Sequence, residues 1–441
     1  MFFIDFQGKE CSFWGMTIKM KFGWVDFSKE DKTNAISIIQ TLENPGVLDE
    51  LGFGVLRNAF ANEFFPGTST LHTRAKYLYL IPYLLYEFQQ KCAGGKIPPT
   101  SSMSNFIKVV GKQIDDAERN IKNLLMKNGK GEQDGVIGSS VKKESYWVER
   151  TPIIIYWTGL RTYNFIRNAL SLGSISYNEL LVYFYTISRN IQEEKNVVTS
   201  KKTEIKNDAY AGERSFFPVK KGLFTPNWRN NLSIELNQNE ARDLKQRIVE
   251  CEVSKNSLFA LILRENLLPD ASIEMDFEGF VESIKENKAV PESIKRKLYL
   301  ACRLNDFYYI VILRYYYLLD KKIFFERWNI IKSKIRKISE DFNPEEIFLE
   351  MKISNKPKLL RFLRDVKKEL LQATKNGNYT EVDKLITARE IAIKTSRAKI
   401  GHPDKYTKEE LENIKVMKFS YRFFIAKRYV LDIQKGLKKH A

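Results

Sequence analysis

Long stretches of helical apolar spacing alternate along the chain with short polar breaks. In 358–371, Leu359, Phe362, Leu363, Val366 and Leu370 fall on one helical side, with Arg361, Arg364 and Lys368 on the other. In 425–439, Ile425, Tyr429, Ile433 and Leu437 repeat the pattern opposite Arg428, Lys435 and Lys439, which share their side with Asp432. Both segments are expected to be helices with basic outer faces.

The same spacing and its punctuation divide the rest of the chain. Ser28 and Asp31 resemble a capping box opening a helix that runs to residue 42 and ends at Asn44-Pro45-Gly46. A helix over 55–65 is broken by Pro66-Gly67, and the apolar run TRAKYLYLIPYLLYEFQQ follows as a buried helix bent or interrupted at Pro82. Residues 93–104 and 129–146 read as loops, Pro152 opens a helix, another spans 176–190, and the polar stretch 192–214 reads as a mobile connection. LSIEL at 232–236 predicts a short strand, and Asn237 with Glu240 caps a helix reaching about residue 251. Further helices are expected at 255–266, 275–287, 292–319, 321–338, 345–352, 357–375, 379–399 and 408–438. The fold class is therefore mostly α, multi-helical with a few short strands and room for two subdomains. The chain falls into an N-terminal helical region (16–135), a central helical region (136–200), a mixed region (201–300) and a basic C-terminal helical region (301–441).

Composition supports a large core: of 441 residues, 43% are apolar and 13% aromatic. Charge changes the picture more, because 72 Lys and Arg face 54 Asp and Glu, a net of +18. Residues 301–441 hold 32 of the basic and 18 of the acidic side chains, so +14 of the excess lies there and +4 in residues 1–300. Codon bias acts along a whole gene and does not produce such a step. A localised cationic surface calls for an anionic partner, and abutting helices of this kind suit the phosphate backbone of nucleic acid. The candidate nucleic-acid-binding residues are Lys332, Lys334, Arg336, Lys337, Arg361, Arg364, Lys368, Arg397, Arg428, Lys435 and Lys439, with Lys399, Arg422 and Lys427 able to join them. The plain alternative is a solvated helix surface.

Candidate chemistry is sparse. Cys11, Cys92, Cys251 and Cys302 form no CxxC pair, which argues against a disulfide framework and a thiolate zinc site and fits a reducing cytoplasm. Three histidines without metal-ligand spacing, and no GxxxxGK[ST] or GxGxxG, leave no metal and no cofactor expected. No export signal or membrane-spanning run is read, so no membrane partner is expected. Asp270, Glu274 and Asp276 resemble a nuclease carboxylate set only faintly, without the following Lys.

The densest region is Asp49-Glu50, Arg57, Phe65-Pro66-Gly67-Thr68-Ser69-Thr70 and Arg74. A Gly turn with three hydroxyls opening a helix makes Arg57, Thr68, Ser69, Thr70 and Arg74 a candidate anion site. The structural alternative has Ser69 or Thr70 as an N-cap and Asp49 or Glu50 paired with Arg57 or Arg74. In Tyr156-Trp157-Thr158-Gly159-Leu160-Arg161, Gly159 permits close approach of another backbone. Trp24, Asp26 and Phe27 form a third cluster, with the aromatics expected in the core.

In order, FGWVDFS, DELGFGVLRNAFANEFFPGTSTLHTRAKYLYLIPY and RTPIIIYWTGLR resemble the bacterial family of unknown function DUF6361. Later stretches LNQNEARDLKQRI, SLFALILREN, ITAREIAIKTSRAKI and FSYRFFIAKRYVLDIQKGL carry the likeness onward. The resemblance implies a bacterial protein in a helicase, mobile-element or phage-defence context, and no catalytic residue. Ile153 stands where such sequences tend to carry a small polar residue and His72 where Gln is frequent; Met16 or Met20 is the expected start. The function expected is a non-catalytic, cytoplasmic nucleic-acid-binding component, DNA being the favoured partner. The alternatives are an adaptor docking a helicase or nuclease, and a phosphate-ester enzyme using Asp49, Glu50, Arg57, Ser69 and Arg74.

Overall fold

Capping side chains, prolines and glycines set many of the helix boundaries among the described residues. The computed structural model describes residues 50–129, 135–141, 147–166, 175–200, 223–224, 227–230 and 232–438. The expected 28–42 helix, Asp49, the Trp24 cluster, most of 192–214 and Lys439 lie outside them. Among the described residues there are fifteen α-helices and no strand.

The first five are α1 (Gly54–Phe64), α2 (Tyr77–Ala93), α3 (Met103–Asn128), α4 (Pro152–Thr162) and α5 (Tyr177–Ser200). Pro82 sits inside α2, which continues on both sides of it, and twelve of its seventeen residues are buried. Packing all round the helix offsets the one backbone bond that proline removes. Helices α6 (Gln238–Glu250), α7 (Leu258–Arg264) and α8 (Phe277–Ile284) follow. Asn237 and Glu240 close a reciprocal capping box on α6, each accepting the other's backbone N–H at 2.9 Å. Asp276 caps α8 by accepting from Gly279 N–H at 2.8 Å, and Asp270 accepts from the backbone of Ser272, so both engage their own turns.

The C-terminal group contains α9 (Glu292–Leu319), α10 (Lys321–Asp341), α11 (Pro344–Glu350), α12 (Pro357–Asn376) and α13 (Thr380–Lys394). A single residue joins α9 to α10. Asp320 ends the first helix with its N–H on Tyr316 O and opens the second with its carboxylate on the N–H groups of Lys322 and Ile323, which folds the two into a hairpin. Arg314, on the buried side of α9, makes a bidentate pair with Asp383 of α13 at 2.7 and 2.8 Å, inside a cage of Tyr317, Trp328 and Tyr379. Helices α10 and α13 each pack on α12. After α14 (Lys408–Glu412), α15 (Phe423–Lys438) leaves this group and packs against α6.

Two expected elements differ. Residues 232–236 are irregular rather than a strand: Leu232 and Leu236 are buried, but no second extended segment among the described residues lies alongside to complete a ladder, and Leu232 O accepts from Asn128 Nδ2 instead. The single helix expected over 408–438 breaks between 413 and 422. Asn305 of α9 holds both backbone groups of Phe419, accepting its N–H at 3.1 Å and donating to its carbonyl at 3.0 Å. Tyr421 and Arg422 then take left-handed φ values of 50° and 68°, which cost about 1–2 kcal/mol each. Burial of the Tyr421 ring among Phe60, Phe64 and Phe277, with its hydroxyl donating to Ala301 O, offsets that cost.

The close approach read at Gly159 is present: a Cβ there would lie 2.8 Å from Gly67 O, a backbone atom with little freedom to move. Gly159→Ala is expected to destabilise the protein by about 1–3 kcal/mol, seen as a lower urea midpoint with an unchanged m value.

Candidate functional site

Residues 66–76, the segment singled out by its Gly turn and hydroxyls, are threaded between α1, α4, α6 and α15, and most of their polar side chains are bonded. Thr68 Oγ1 donates to Phe65 O and Ser69 Oγ accepts from Leu71 N–H, so both hydroxyls cap their own turn. The Tyr156 hydroxyl from α4 accepts the N–H groups of Thr73 and Arg74 and donates to Arg74 O. Arg74 Nε donates to Asp432 Oδ1 at 2.9 Å, and the other oxygen of that carboxylate accepts Ala75 N–H at 2.8 Å. An anion therefore lies at Arg74 beside the start of α2, and it is the chain's own Asp432. Lys76, also buried, is held by both oxygens of Glu240 at 2.8 and 2.6 Å.

His72 reports how dry this segment is. Its Nε2 faces Ile155 O at 3.1 Å and its Nδ1 faces the Tyr429 hydroxyl at 2.8 Å. A carbonyl only accepts, so Nε2 carries the proton and Nδ1 accepts from Tyr429. Burial pushes the imidazole from 6.5 down to about 3. Glu118 of α3 is shifted the opposite way, from 4.5 up to about 8, because burial outweighs the N–H of Ile153 that it accepts at 2.7 Å. The backbone of Ile153 thus stitches α4 to α3.

The residues of the enzymatic alternative have separate partners. Glu50 pairs with Lys394 of α13 and accepts from the Tyr315 hydroxyl at 3.0 Å. Arg57 Nε donates to Asn58, Ser69 serves its own turn, and Arg74 is on Asp432. Thr70 is exposed. No group of three or more His, Cys, Asp and Glu arranged to hold a metal occurs among the described residues, and Cys92, Cys251 and Cys302 are free thiols.

The candidate nucleic-acid residues separate into groups. In α12, Leu359, Phe362, Leu363, Val366, Leu370 and Ala373 are buried. Arg361, Arg364, Lys368 and Lys375 lie on the opposite side, all exposed, within an arc of roughly 60° and over about 21 Å of helix at 100° and 1.5 Å per residue. Arg364 pairs with Glu345 at 2.6 Å in solvent, a bond worth little. In α10 the cations spread round the helix: Lys332 and Arg336 share a flank, Lys337 points outward, and Lys334 lies about 160° from Arg336. Arg336 pairs with Glu340 of its own helix at 3.0 Å. Arg397 is exposed on the 3₁₀ turn after α13. Arg428 and Lys435 belong to α15 and so sit with α6. Lys435 lines a cavity of about 500 Å³ together with Arg74, Asn128 and Glu235. Lys427 of α15 donates to the carbonyls of Ile273 and Met275.

Reading the chain alone missed the partners. Spacing puts Asp432 on the basic side of its helix, yet it is buried on Arg74; its position three residues from Tyr429 and one from Ile433 is the available signal. Glu240, the capping residue that the spacing predicts, also neutralises Lys76.

The geometry defines a class before a family: among the described residues, a helical scaffold in which Arg74, Lys76, Arg314 and Lys394 meet carboxylates inside the molecule while other cations stand on exposed helix faces. Residues 20–183 match the family of unknown function DUF6361, and the chain is similar to that family over this span, which contains the whole 66–76 segment and the Tyr156 cluster. The later stretches that resemble the family lie outside it. No curated protein and no solved structure matches the chain.

Two outcomes follow from the buried groups. Asp432→Asn is expected to cost about 3–5 kcal/mol, because it leaves a buried guanidinium without its charge partner. Arg74→Met combined with Asp432→Leu should recover much of that loss in urea unfolding. For pH, the unfolded chain protonates His72 below 6.5 while the folded chain does not until about 3, so this contribution is complete above 6.5 and lost as pH falls. Folded Glu118 keeps its proton to about 8 while the unfolded chain releases it above 4.5, so stability falls as pH rises between the two. Each slope is at most about 1.4 kcal/mol per pH unit. Relative to wild type, His72→Gln should gain stability progressively from pH 6.5 to 4, and Glu118→Gln from pH 5 to 8, measured as urea unfolding free energies.

Proposed function

We propose that the protein is a non-catalytic nucleic-acid-binding component that holds the phosphate backbone of DNA on the exposed cationic face of α12, extended by neighbouring cations of α10. The observation that carries this reading is the α12 stripe. Its four cations stand directly opposite its apolar face, so packing of the helix presents them outward together. Among the described residues, Arg361 has no carboxylate within ion-pairing distance, and neither do Lys332, Lys334 and Lys337 on α10. A row of cations about 21 Å long gains affinity by releasing condensed counterions and reads no base sequence. Arg428 and Lys435 on α15 form a separate group and are secondary in this reading.

The family likeness supplies the setting proposed with it: a bacterial phage-defence or mobile-element system acting in the cytoplasm. No helix of the described residues is long and apolar enough to cross a membrane. The separate partners of Glu50, Arg57, Ser69 and Arg74 favour binding over phosphate-ester chemistry.

Affinity for a nonspecific duplex should fall steeply with salt. Charge reversal at Arg361, Arg364 and Lys368 should reduce the slope of log K against log salt by about 0.9 for each phosphate that is no longer neutralised. Fluorescence anisotropy across a salt series measures it, and an unchanged slope rejects the α12 face.

A further inference from the structure

Arg422 is in an unusual position for an arginine. It lies at the start of α15, partly exposed, between α1 and the 66–72 turn, and its hydrogen bonds go to neutral groups. Nη1 donates to Asn62 Oδ1 at 2.8 Å and to Thr68 O at 2.9 Å. A guanidinium has five N–H groups, so these two bonds use both hydrogens of Nη1 and leave three on Nε and Nη2 without an acceptor among the described residues. Arg57 of α1 is close enough for its charge to act on Arg422, and it has Nε on Asn58 Oδ1 at 3.3 Å with both terminal nitrogens unbonded among the described residues. Neither arginine has a described carboxylate at ion-pairing distance. Glu63, the acidic residue of α1, is taken by Lys297. The other groups around Arg422 are uncharged: His72 is a neutral imidazole, and the Tyr163 hydroxyl donates to Pro66 O.

This contrasts with the rest of the interior, where Arg74, Lys76, Arg314 and Lys394 each meet a carboxylate. Burial and the like charge of Arg57 together hold the Arg422 guanidinium down at about 10. Two neighbouring arginines with spare donors and no described counter-ion form a half-site for an anion with several oxygens and more than one negative charge. The positive end of the sixteen-residue α15 adds to the same field.

We propose that Arg57 and Arg422, where the start of α15 meets α1, bind a phosphate group, and that this site is separate from the cationic face of α12. It shares Arg57 with the anion site expected from the chain, and Arg422 takes the role assigned there to Arg74, whose anion is internal.

The test is isothermal titration of the full chain with pyrophosphate at low salt, alongside one short single strand carrying either a 5′-phosphate or a 5′-hydroxyl. Pyrophosphate is expected to saturate one site per chain. Arg57→Gln, which alters a partly exposed side chain bonded to its neighbour, should weaken it roughly tenfold or more. Reversal of Arg361, Arg364 and Lys368 should leave it unchanged, so this site and the α12 face fail or stand independently. Arg422→Gln should abolish binding if that variant folds, and Arg57→Gln decides the matter if it does not. Competition by the 5′-phosphorylated strand and not by its hydroxyl twin would support the site with a strand end as the phosphate source. Binding of pyrophosphate alone would support it with a small free phosphate compound. Absence of saturable binding by the wild type, equal binding by Arg57→Gln, or an equal loss on reversing the α12 cations would overturn it.

Discussion

Two buried ion pairs set two residues apart, Arg74 with Asp432 and Lys76 with Glu240, fix the relation between the start of α2 and the two helices that close over it. Each removes a cation from water at a cost of several kcal/mol, which is recovered only when the carboxylate is in place and its remaining lone pairs are filled. Both carboxylates meet that condition: Asp432 accepts the Ala75 N–H, and Glu240 accepts the Asn237 N–H of its own capping box. The packing of α15 on α6 is thus coupled to the path of residues 73–76. The second lock, Arg314 with Asp383 inside its aromatic cage, plays the same part between α9 and α13.

Cations in this molecule therefore fall into two populations with different physics. Those named above are dehydrated and committed, and their removal is a matter of stability. Those along α12 keep their hydration and repel one another, a condition that a polyanion relieves. The Arg57–Arg422 pair stands apart from both, partly exposed and without a described carboxylate at ion-pairing distance.

Periodicity made much of the fold legible. The 28-residue α9 was read with both its ends, and α12 to within one residue, because Pro357 and Gly377 bracket an uninterrupted apolar stripe. The Asn237 cap was readable from two residues at fixed spacing. What failed depended on neighbours remote in sequence. The break before α15 is made by Asn305, more than a hundred residues upstream, and nothing local to Ser420-Tyr421-Arg422 announces left-handed backbone. At the candidate site, the basic face of α12 was visible, since it needs only the helix. Which carboxylate neutralises which cation was not, because Arg74 and Asp432 become neighbours only through the tertiary fold.

That separation has a consequence for how the chain acquires its structure during synthesis. The Arg74 and Asp432 codons are 358 positions apart, so at roughly 5–20 residues per second the ribosome needs about 20–70 s to supply the second after the first. Throughout that interval the emerging N-terminal helices hold an arginine whose counter-charge has not been made, together with the apolar surface that α15 will cover. A helix translated late is thus the keystone of helices translated early, and until it emerges their buried arginine and apolar surface stay uncovered.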